Sequence, residues 1–448
     1  MTDRPDPPTI DVQDLRVGHF VHLDGGWWSH PFPLSSFRIA SESQIATIRG
    51  LGLRQVRYSP EKSELDGPHG LLPGSDTATR GVGPSGLPAP AAPAGAAAAA
   101  APAADPAVER RQRLAAERAA LRLCERQFAE AASACKQVFA IVPSKAEEAG
   151  RLSQAVTRTL VDKLLQPGEM CVRLLTEAAG DKASMHAVNV TVLSLLMGRA
   201  LGMPEADLLD MGQGSLLHDI GKIDLPDRVR HREDHFSAAE VAAYQEHVAR
   251  GVAHGRKMGL APAVQLVIAQ HHEHADGSGF PGRIGVDRMS PAARIVALVN
   301  RYDNLCNPQV PAKALTPHEA MSLLFAQGNA SSGTRRFDTA ILGAFIKMMG
   351  VYPPGSLVQL TDDRYAMVVA VNSSRPLKPR VFVHEPGARA EEALVLNLEN
   401  EPRLGVRRSL KADQLPSTAL DFLSPRPRMA YFFEPSGFAS DELVAEAA

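Results

Sequence analysis

Apolar residues recur at helical spacing through almost all of residues 144 to 350 of this 448-residue chain. Short Gly or Pro breaks separate the runs, so successive helices must fold back on one another and bury their apolar faces together. Aromatic residues make up only 5% of the chain, and the shared core must therefore be built from aliphatic side chains. The pattern predicts a mostly α protein whose main domain, residues 144–352, is a helical bundle.

Two smaller modules flank the predicted bundle. Residues 9–66 combine short strand-like stretches with one helix, which predicts a small N-terminal α/β or β module. Residues 356–435 contain segments in which apolar and polar residues alternate, which predicts a small β-rich C-terminal module. Between the N-terminal module and the helices, residues 67–105 consist largely of Gly, Pro and Ala. That composition cannot form a core and is typical of a linker.

A charged, alanine-rich helix is predicted over residues 106–143. Leu114, Leu121 and Phe128 recur there at helical intervals and give the helix one apolar face. The face must pack against something, and two partners are open. The helix either connects the modules of one chain or forms the interface of a homodimer.

Charge and cysteine content exclude several classes of protein. The chain has 48 Lys and Arg against 50 Asp and Glu, which gives no electrostatic reason to bind nucleic acid. Its four cysteines are far apart and form no C-x-x-C pair, which argues against a disulfide framework and suits a reducing compartment. The N-terminus lacks the apolar segment of a signal peptide, and no run of 18 apolar residues could span a bilayer. We therefore expect a cytoplasmic protein with no membrane partner.

Histidines are concentrated in one part of the predicted bundle. Nine of the fifteen lie between His186 and His274, a fifth of the chain, where uniform scatter would place about three. Taken singly, each has an ordinary explanation as a core or solvated residue. Because they lie on successive helices, the inward-facing ones can converge in the bundle core, where metal sites are commonly built. Imidazole and carboxylate together suit Mn, Fe, Co, Ni or Zn. The inward-facing set is His186, His218, Asp219, His247, His271 and His272.

The sequence motifs around these residues resemble the HD-GYP family of metal-dependent phosphohydrolases. That family has the signature His, His-Asp-x-Gly-Lys, His, His-His-Glu-x-x-Asp-Gly-x-Gly-Tyr-Pro and Asp-x-Tyr-Asp-Ala-Leu. The matching segments are His186, His218–Lys222, His247, His271–Pro281 and Asn300–Leu305. The resemblance covers about residues 145 to 350. Residues 9–66 also resemble the small domain of unknown function that often precedes this catalytic domain, which implies a regulatory module.

The resemblance implies an HD-type helical bundle and an enzymatic activity. Members of the family act in bacterial signalling and hydrolyse cyclic di-GMP to pGpG or GMP. Two divalent metal ions, Fe or Mn, would generate the attacking hydroxide. Asp219 and Lys222 are expected to carry the chemistry, Asp219 as a bridging metal ligand and Lys222 as a cation placed on the phosphate. The implied metal ligands are His186, His218, Asp219, His247, His271, His272 and either Asn300 or Asp303.

The resemblance also implies where the substrate and other partners bind. Glu273 is expected to support a metal ligand without coordinating the metal itself. The expected partners are a cyclic dinucleotide substrate and, as an open possibility, other signalling proteins. The residues expected to bind substrate are Lys222, Asp276, Gly277, Gly279, Phe280, Pro281 and Lys313.

Several positions depart from the family pattern. Phe280 replaces a tyrosine, and Asn300 stands where the family has its last metal-binding aspartate. Residues 307–313 lack the Arg-Pro-Tyr-Arg/Lys sequence that contacts phosphate in the family. Lys182, rather than a glutamate, precedes His186 by one helical turn, so we expect two metal ions and not three. Three hypotheses stay open: an active cyclic di-GMP phosphodiesterase, a degenerate domain that binds metal or cyclic di-GMP with little turnover, and a hydrolase of another nucleotide.

Overall fold

The chain divides into two compact units, and the boundary in the sequence falls between residues 105 and 106. The predicted linker, residues 67–105, lies outside the residues that the structure describes. The computed structural model describes residues 8–23, 36–39, 41–50, 53–63, 106–176, 180–231, 235–328, 335–393 and 395–435.

The described residues of the first unit form a small sheet with one helix. Its elements are β1 Thr9–Asp11, β2 Phe20–His22, β3 Ser36–Arg38, α1 Glu42–Gly50 and β4 Gln55–Tyr58. The strands pair antiparallel in the order β1-β4-β2-β3. Val21 and Val56 of the sheet are buried in one apolar cluster with Ile45 and Ile48 of α1. The prediction of a small N-terminal module with strands is confirmed.

The second unit is mainly helical, as predicted. Its helices are α2 Pro106–Ile141, α3 Ala146–Leu164, α4 Lys182–Ala200, α5 Glu205–Leu217, α6 Ala238–Lys257, α7 Pro262–Gln270, α8 Pro291–Cys306, α9 Pro317–Gly328, α10 Thr339–Met349 and α11 Ser417–Leu423. Five of these helices begin where a polar side chain accepts hydrogen bonds from first-turn N–H groups, which would otherwise be unpaired. The five capping residues are Asp181, Ser237, Ser290, Thr316 and Asp338.

Helix α4 lies at the centre of the bundle. It packs against α2, α5 and α8, and side chains around its whole circumference, including Leu193, Leu195 and Met197, are buried. A helix that is apolar on all sides belongs in the interior of a protein. Its first turns carry His186 into the same interior.

The second unit also contains a seven-stranded antiparallel sheet. Its strands are β5 Met170–Leu174, β6 Leu357–Leu360, β7 Tyr365–Asn372, β8 Arg380–Val383, β9 Val395–Asn397, β10 Val406–Leu410 and β11 Tyr431–Pro435. The order is β10-β6-β7-β5-β11, with β8 beside β7 and β9 beside β8. The predicted C-terminal strands are present, but β5 comes from the middle of the helical sequence and pairs with both β7 and β11. The predicted boundaries 144–352 and 356–435 stay predictions.

Helix α2 uses its apolar face within its own chain. Cys124, Phe128 and Cys135 are buried in the core shared with α3 and α4. At its solvent side, Glu117 lies 3.2 Å from Arg173 of β5, and Arg173 lies 3.3 Å from Glu434 of β11. The helix is therefore tied to the sheet by apolar packing and by buried charge, and a homodimer through this helix stays a prediction.

Two smaller expectations concern the cysteines and the membrane. All four cysteines are free and buried. The sequence analysis had argued against a disulfide framework, and the structure agrees. Among the helices in the ranges given above, none has both the length and the apolarity needed to span a bilayer.

Candidate metal centre

Three histidines of the bundle share one local arrangement. In His218, His247 and His271, Nδ1 lies within hydrogen-bond distance of the carbonyl oxygen three residues earlier. A carbonyl oxygen only accepts, so Nδ1 carries the proton and Nε2 keeps its lone pair. Each ring is thereby prepared to bind a metal through Nε2. The distances are 2.7 Å to Ser215, 2.6 Å to Tyr244 and 2.8 Å to Ile268.

The carboxylate of Asp219 lies between two pairs of histidines. Its Oδ2 is 3.7 Å from Nε2 of His186 and 3.4 Å from Nε2 of His218. Its Oδ1 is 3.5 Å from Nε2 of His247 and 3.6 Å from Nε2 of His271. These separations exceed ordinary hydrogen bonds. Two ligand atoms that share one metal ion at about 2.1 Å lie roughly 3.0–3.6 Å apart at common coordination angles. Three of the four separations fall in this range, and the one to His186 is 0.1 Å longer.

Oδ1 of Asp219 is also unpaired within the described part of the chain, although it is buried. Such an atom costs free energy unless a donor or a cation faces it. Potential ligand atoms lie within 4.8 Å of one another in two groups that share Asp219. A set of imidazoles with one carboxylate fits a borderline divalent metal ion. The two groups are Asp219 with His186 and His218, and Asp219 with His247, His271 and His272.

Burial sets the protonation states of these groups. It lowers the pKa of His218 to about 4 and that of His247 to about 3, although the nearby Asp219 opposes the shift. Burial alone would raise the pKa of Asp219, but Lys222 and His218 hold it well below its usual range. Neutral imidazoles and an ionised carboxylate are the forms that bind metal.

Lys222 is a fixed cation beside the cluster. It follows Asp219 by one turn in the 3₁₀ helix Ile220–Asp224, and its Nζ donates to Oδ2 of Asp219 at 2.6 Å. Burial lowers the pKa of Lys222, but the adjacent carboxylate outweighs it, so the pKa is raised. The ammonium group stays charged and is available to an anionic ligand.

A close contact between glycines brings Asp219 next to His247. The 3₁₀ helix that follows Asp219 packs on α6, and Gly221 lies directly against the backbone at His247 and Gly251. A Cβ at Gly221 would overlap the carbonyl oxygen of His247 and the amide nitrogen of Gly251. Because both atoms belong to the backbone, no side-chain rotation can relieve the overlap.

Gly221→Ala is therefore expected to lower the free energy of unfolding by about 2–3 kcal/mol, and to separate Asp219 from His247 in any chain that folds. Urea denaturation of the metal-free protein measures the stability. Gly285→Ala is the matched control, since a Cβ there meets only the carbonyl oxygen of Ala275 at 3.6 Å. Equal stability of the two variants would contradict the packing account.

Glu273 holds the loop that follows the paired histidines. Its carboxylate is buried and accepts hydrogen bonds from the backbone N–H groups of Gly282 at 2.5 Å and Ile284 at 3.1 Å. Glu273 thus fixes the loop, and its expected support of a metal ligand stays a prediction. Gly279 is required in the same loop, because a Cβ there would lie 2.5 Å from the carbonyl oxygen of His272.

The other loop residues have different surroundings. Oδ1 of Asp276 accepts from the N–H of Ser278 at 2.9 Å and closes a turn, while Gly277 adopts a φ of +75°. The ring of Phe280 stacks on His272 with 4.4 Å between centroids. Pro281 follows it and is exposed, and Lys313 is exposed on the 3₁₀ turn Pro311–Lys313. Substrate binding by these residues stays a prediction.

Asn300 and Asp303 have separate positions on α8. The amide oxygen of Asn300 is buried and accepts a hydrogen bond from Asn304 at 2.6 Å. Oδ2 of Asp303 lies 2.6 Å from Nδ1 of His186, on the opposite ring nitrogen from the one that faces Asp219. The sequence left Asp303 open as a replacement metal ligand, and that role stays a prediction.

Two known domain families match parts of this chain. Residues 159–341 match the HD domain family, and residues 8–149 match a domain of unknown function, DUF3391. The chain carries an HD domain. All of the clustered histidines lie within it, and the DUF3391 match includes the N-terminal sheet and α2. HD domains are metal-dependent, and the clustered groups of this HD domain are of the kind that bind metal.

The chain is also similar to named phosphodiesterases. The chain is 28% identical over 386 residues to a cyclic di-GMP phosphodiesterase of Pseudomonas aeruginosa, which covers 84% of each protein. It is 19% identical over 235 residues to the cyclic di-GMP phosphodiesterase PdeB of Borreliella burgdorferi, covering 52% of this chain and 60% of the relative. Over 131 residues it is 31% identical to the 3'3'-cGAMP-specific phosphodiesterase 2 of Vibrio cholerae, covering 29% of this chain and 25% of the relative.

Sequence reasoning missed three residues of the HD domain that contact the predicted ligands. Asn189 and Asn307 both donate to Oδ1 of Asp303, at 2.8 and 2.9 Å. The hydroxyl of Tyr244 lies 3.5 Å from Nε2 of His272. Helical spacing could have predicted that these two asparagines lie near His186 and Asp303. Asn189 follows His186 by three residues and Asn307 follows Asp303 by four, which places each pair on one helix face.

Proposed function

We propose that the chain is a two-metal phosphodiesterase that hydrolyses cyclic di-GMP. The observation that carries the proposal is the position of Asp219, whose two oxygens face two different groups of histidines. Two divalent ions bridged by one carboxylate suit in-line displacement at a phosphodiester. The similarity over 84% of the chain to a cyclic di-GMP phosphodiesterase supports this dinucleotide as the substrate.

The residues present fit two metal ions. When bound, such ions lower the pKa of a water and offset the charge that develops on the phosphate. We propose iron or manganese, which suit an imidazole-rich site with one carboxylate. One ion would be held by His186, His218 and Asp219, and the other by Asp219, His247, His271 and His272.

Two other groups of the chain would act on the substrate directly. The charged ammonium of Lys222 lies beside Asp219, where it can stabilise negative charge on a phosphate oxygen in the transition state. The ring of Phe280 stacks on His272 and offers an aromatic surface to a guanine base. Burial lowers the pKa of His218 and of His247 and so keeps these two rings neutral.

The proposal is tested on metal-free protein reconstituted with Mn²⁺ or Fe²⁺. We expect two ions per chain and hydrolysis of cyclic di-GMP that requires them, with 3'3'-cGAMP as the comparison substrate. Chromatography identifies the product as pGpG or GMP. Full occupancy by two ions without hydrolysis of either dinucleotide would reject the enzyme. Faster turnover of 3'3'-cGAMP would assign the chain to another nucleotide.

A second candidate function is a regulatory module that binds metal or cyclic di-GMP with little turnover. It is favoured by the neutral Asn300, whose amide oxygen is already engaged by Asn304, and by residues 307–313, which lack the expected arginine. Equilibrium binding of cyclic di-GMP to the metal-loaded chain separates the two functions. Tight binding without product favours the module.

A further inference from the structure

Asp303 is held by three hydrogen bonds in the interior of the protein. Its Oδ2 lies 2.6 Å from Nδ1 of His186. Its Oδ1 accepts one hydrogen bond from Asn189 and one from Asn307. A carboxylate in this position fixes the tautomer and the orientation of a histidine and makes the opposite nitrogen a better ligand. The two asparagines thus determine where His186 can present Nε2.

The same two amides bind the backbone that leads into β11. Nδ2 of Asn189 donates to the carbonyl oxygen of Met429 at 2.9 Å, and its Oδ1 accepts from the N–H of Tyr431 at 3.0 Å. Nδ2 of Asn307 donates to the same carbonyl oxygen at 2.8 Å, and its Oδ1 accepts from the N–H of Met429 at 2.8 Å. An amide NH₂ has two hydrogens, and in both asparagines one goes to Asp303 and the other to Met429.

We propose that Asn189 and Asn307 are positioning residues through which strand β11 sets metal binding by His186. The inference rests on the metal site proposed above. The strand is a rigid support, because it pairs with β5 along its whole length and Phe432 and Phe433 are buried in the core. Removal of one amide leaves the carbonyl oxygen of Met429 and Oδ1 of Asp303 with one donor fewer, and the support of His186 loosens.

The effect must be confined to one side of the cluster. His218, His247 and His271 are oriented by carbonyl oxygens of their own helices and do not depend on Asp303. Only the group that contains His186 is connected to β11 by the hydrogen bonds described above. The structure therefore predicts weaker binding of one metal equivalent and unchanged binding of the other.

The test is a calorimetric titration of the full chain with Mn²⁺, for Asn307→Ala and Asn189→Ala beside the original protein. Each variant is expected to bind one equivalent about 10-fold to 100-fold more weakly. The matched control is Tyr431→Phe, which removes a buried hydroxyl from the same strand but no bond to Asp303. It is expected to leave both affinities unchanged. Wild-type affinity at both equivalents in Asn307→Ala overturns the inference.

A readout without metal keeps the test independent of the proposed function and of folding. Selective ¹⁵N labelling of histidine reports the tautomer of His186 by NMR in the metal-free chain. We expect a single Nδ1–H form in the original protein and in Tyr431→Phe, and mixed tautomers in both asparagine variants. Unchanged tautomers in two folded variants reject the inference, even where the chain binds no metal. A chain that shows these shifts but hydrolyses no cyclic di-GMP rejects only the proposed activity.

Discussion

Asp219→Ala is expected to abolish hydrolysis of cyclic di-GMP, by on the order of 10³-fold or more in kcat/KM, and to remove at least one equivalent of bound metal. Asp219 is the only carboxylate in the two groups of potential ligands among the described residues. Each of its oxygens faces a different pair of histidines, and an imidazole in its place could not bridge two ions. Its loss also removes the negative charge that would offset the charge of two dications.

Metal analysis and steady-state kinetics on the same preparation check this expectation. Asp224→Asn provides the control, since Asp224 ends the 3₁₀ helix that follows Asp219 but pairs with His254 at 2.7 Å. This variant should keep its metal and its rate. An Asp219→Ala protein that retains two equivalents of metal and full activity would show that the carboxylate does not bridge them.

Asn300→Asp is expected to strengthen binding of one metal equivalent by on the order of 100-fold. The resemblance described in the sequence analysis implies that Asn300 stands where the HD-GYP family has a metal-binding aspartate, and its neutral amide supplies no charge to a dication. Its oxygen is moreover engaged by Asn304. A carboxylate at this position can bind the ion while keeping a second oxygen for Asn304. If metal occupancy limits turnover, the rate at low metal concentration rises in parallel.

Asn304→Ala separates the effect of charge from that of the hydrogen bond. It frees the amide of Asn300 without adding charge, and should change the affinity by only a few-fold. Titration of both variants with Mn²⁺ measures the two effects separately. If Asn300→Asp leaves both affinities at their original values, Asn300 does not contribute to the metal site.

The fold was predictable where local pattern determines it. Helix α6 begins at Ser237, whose capping box with Glu240 is visible in the sequence and present in the structure. Strand β5 was not predictable in the same way. All five of its residues are buried, so it shows no alternation and cannot be told from a buried helical segment. Its partners β7 and β11 lie about 200 and 260 residues further along the chain, and such pairings leave no local signal.

The candidate site was likewise predictable only where a local motif determines it. Short motifs name the six residues that the structure brings together, because each motif fixes a histidine at one position of one helix. The roles of Asp303 and Glu273 depend on which distant groups fold against them. Asp303 accepts from His186, 117 residues away, and Glu273 accepts from a loop whose path depends on the close approach at Gly279. Neither role follows from residue type.

The pairing of β5 with β11 affects the order in which the molecule can be completed during synthesis. Arg173 and Glu434, which meet across these strands, are 261 residues apart, roughly 13–50 s of translation at about 5–20 residues per second. Between His272 and Met429, which are 157 residues apart (429 − 272), the nascent chain carries every histidine of the cluster but lacks the backbone at Met429 that the two asparagines bind. A product that terminates after the HD domain and before Met429 would contain all the metal-binding motifs without a properly oriented His186. Under the proposed role of Asn189 and Asn307, the metal centre would be completed only once Met429 has been synthesised.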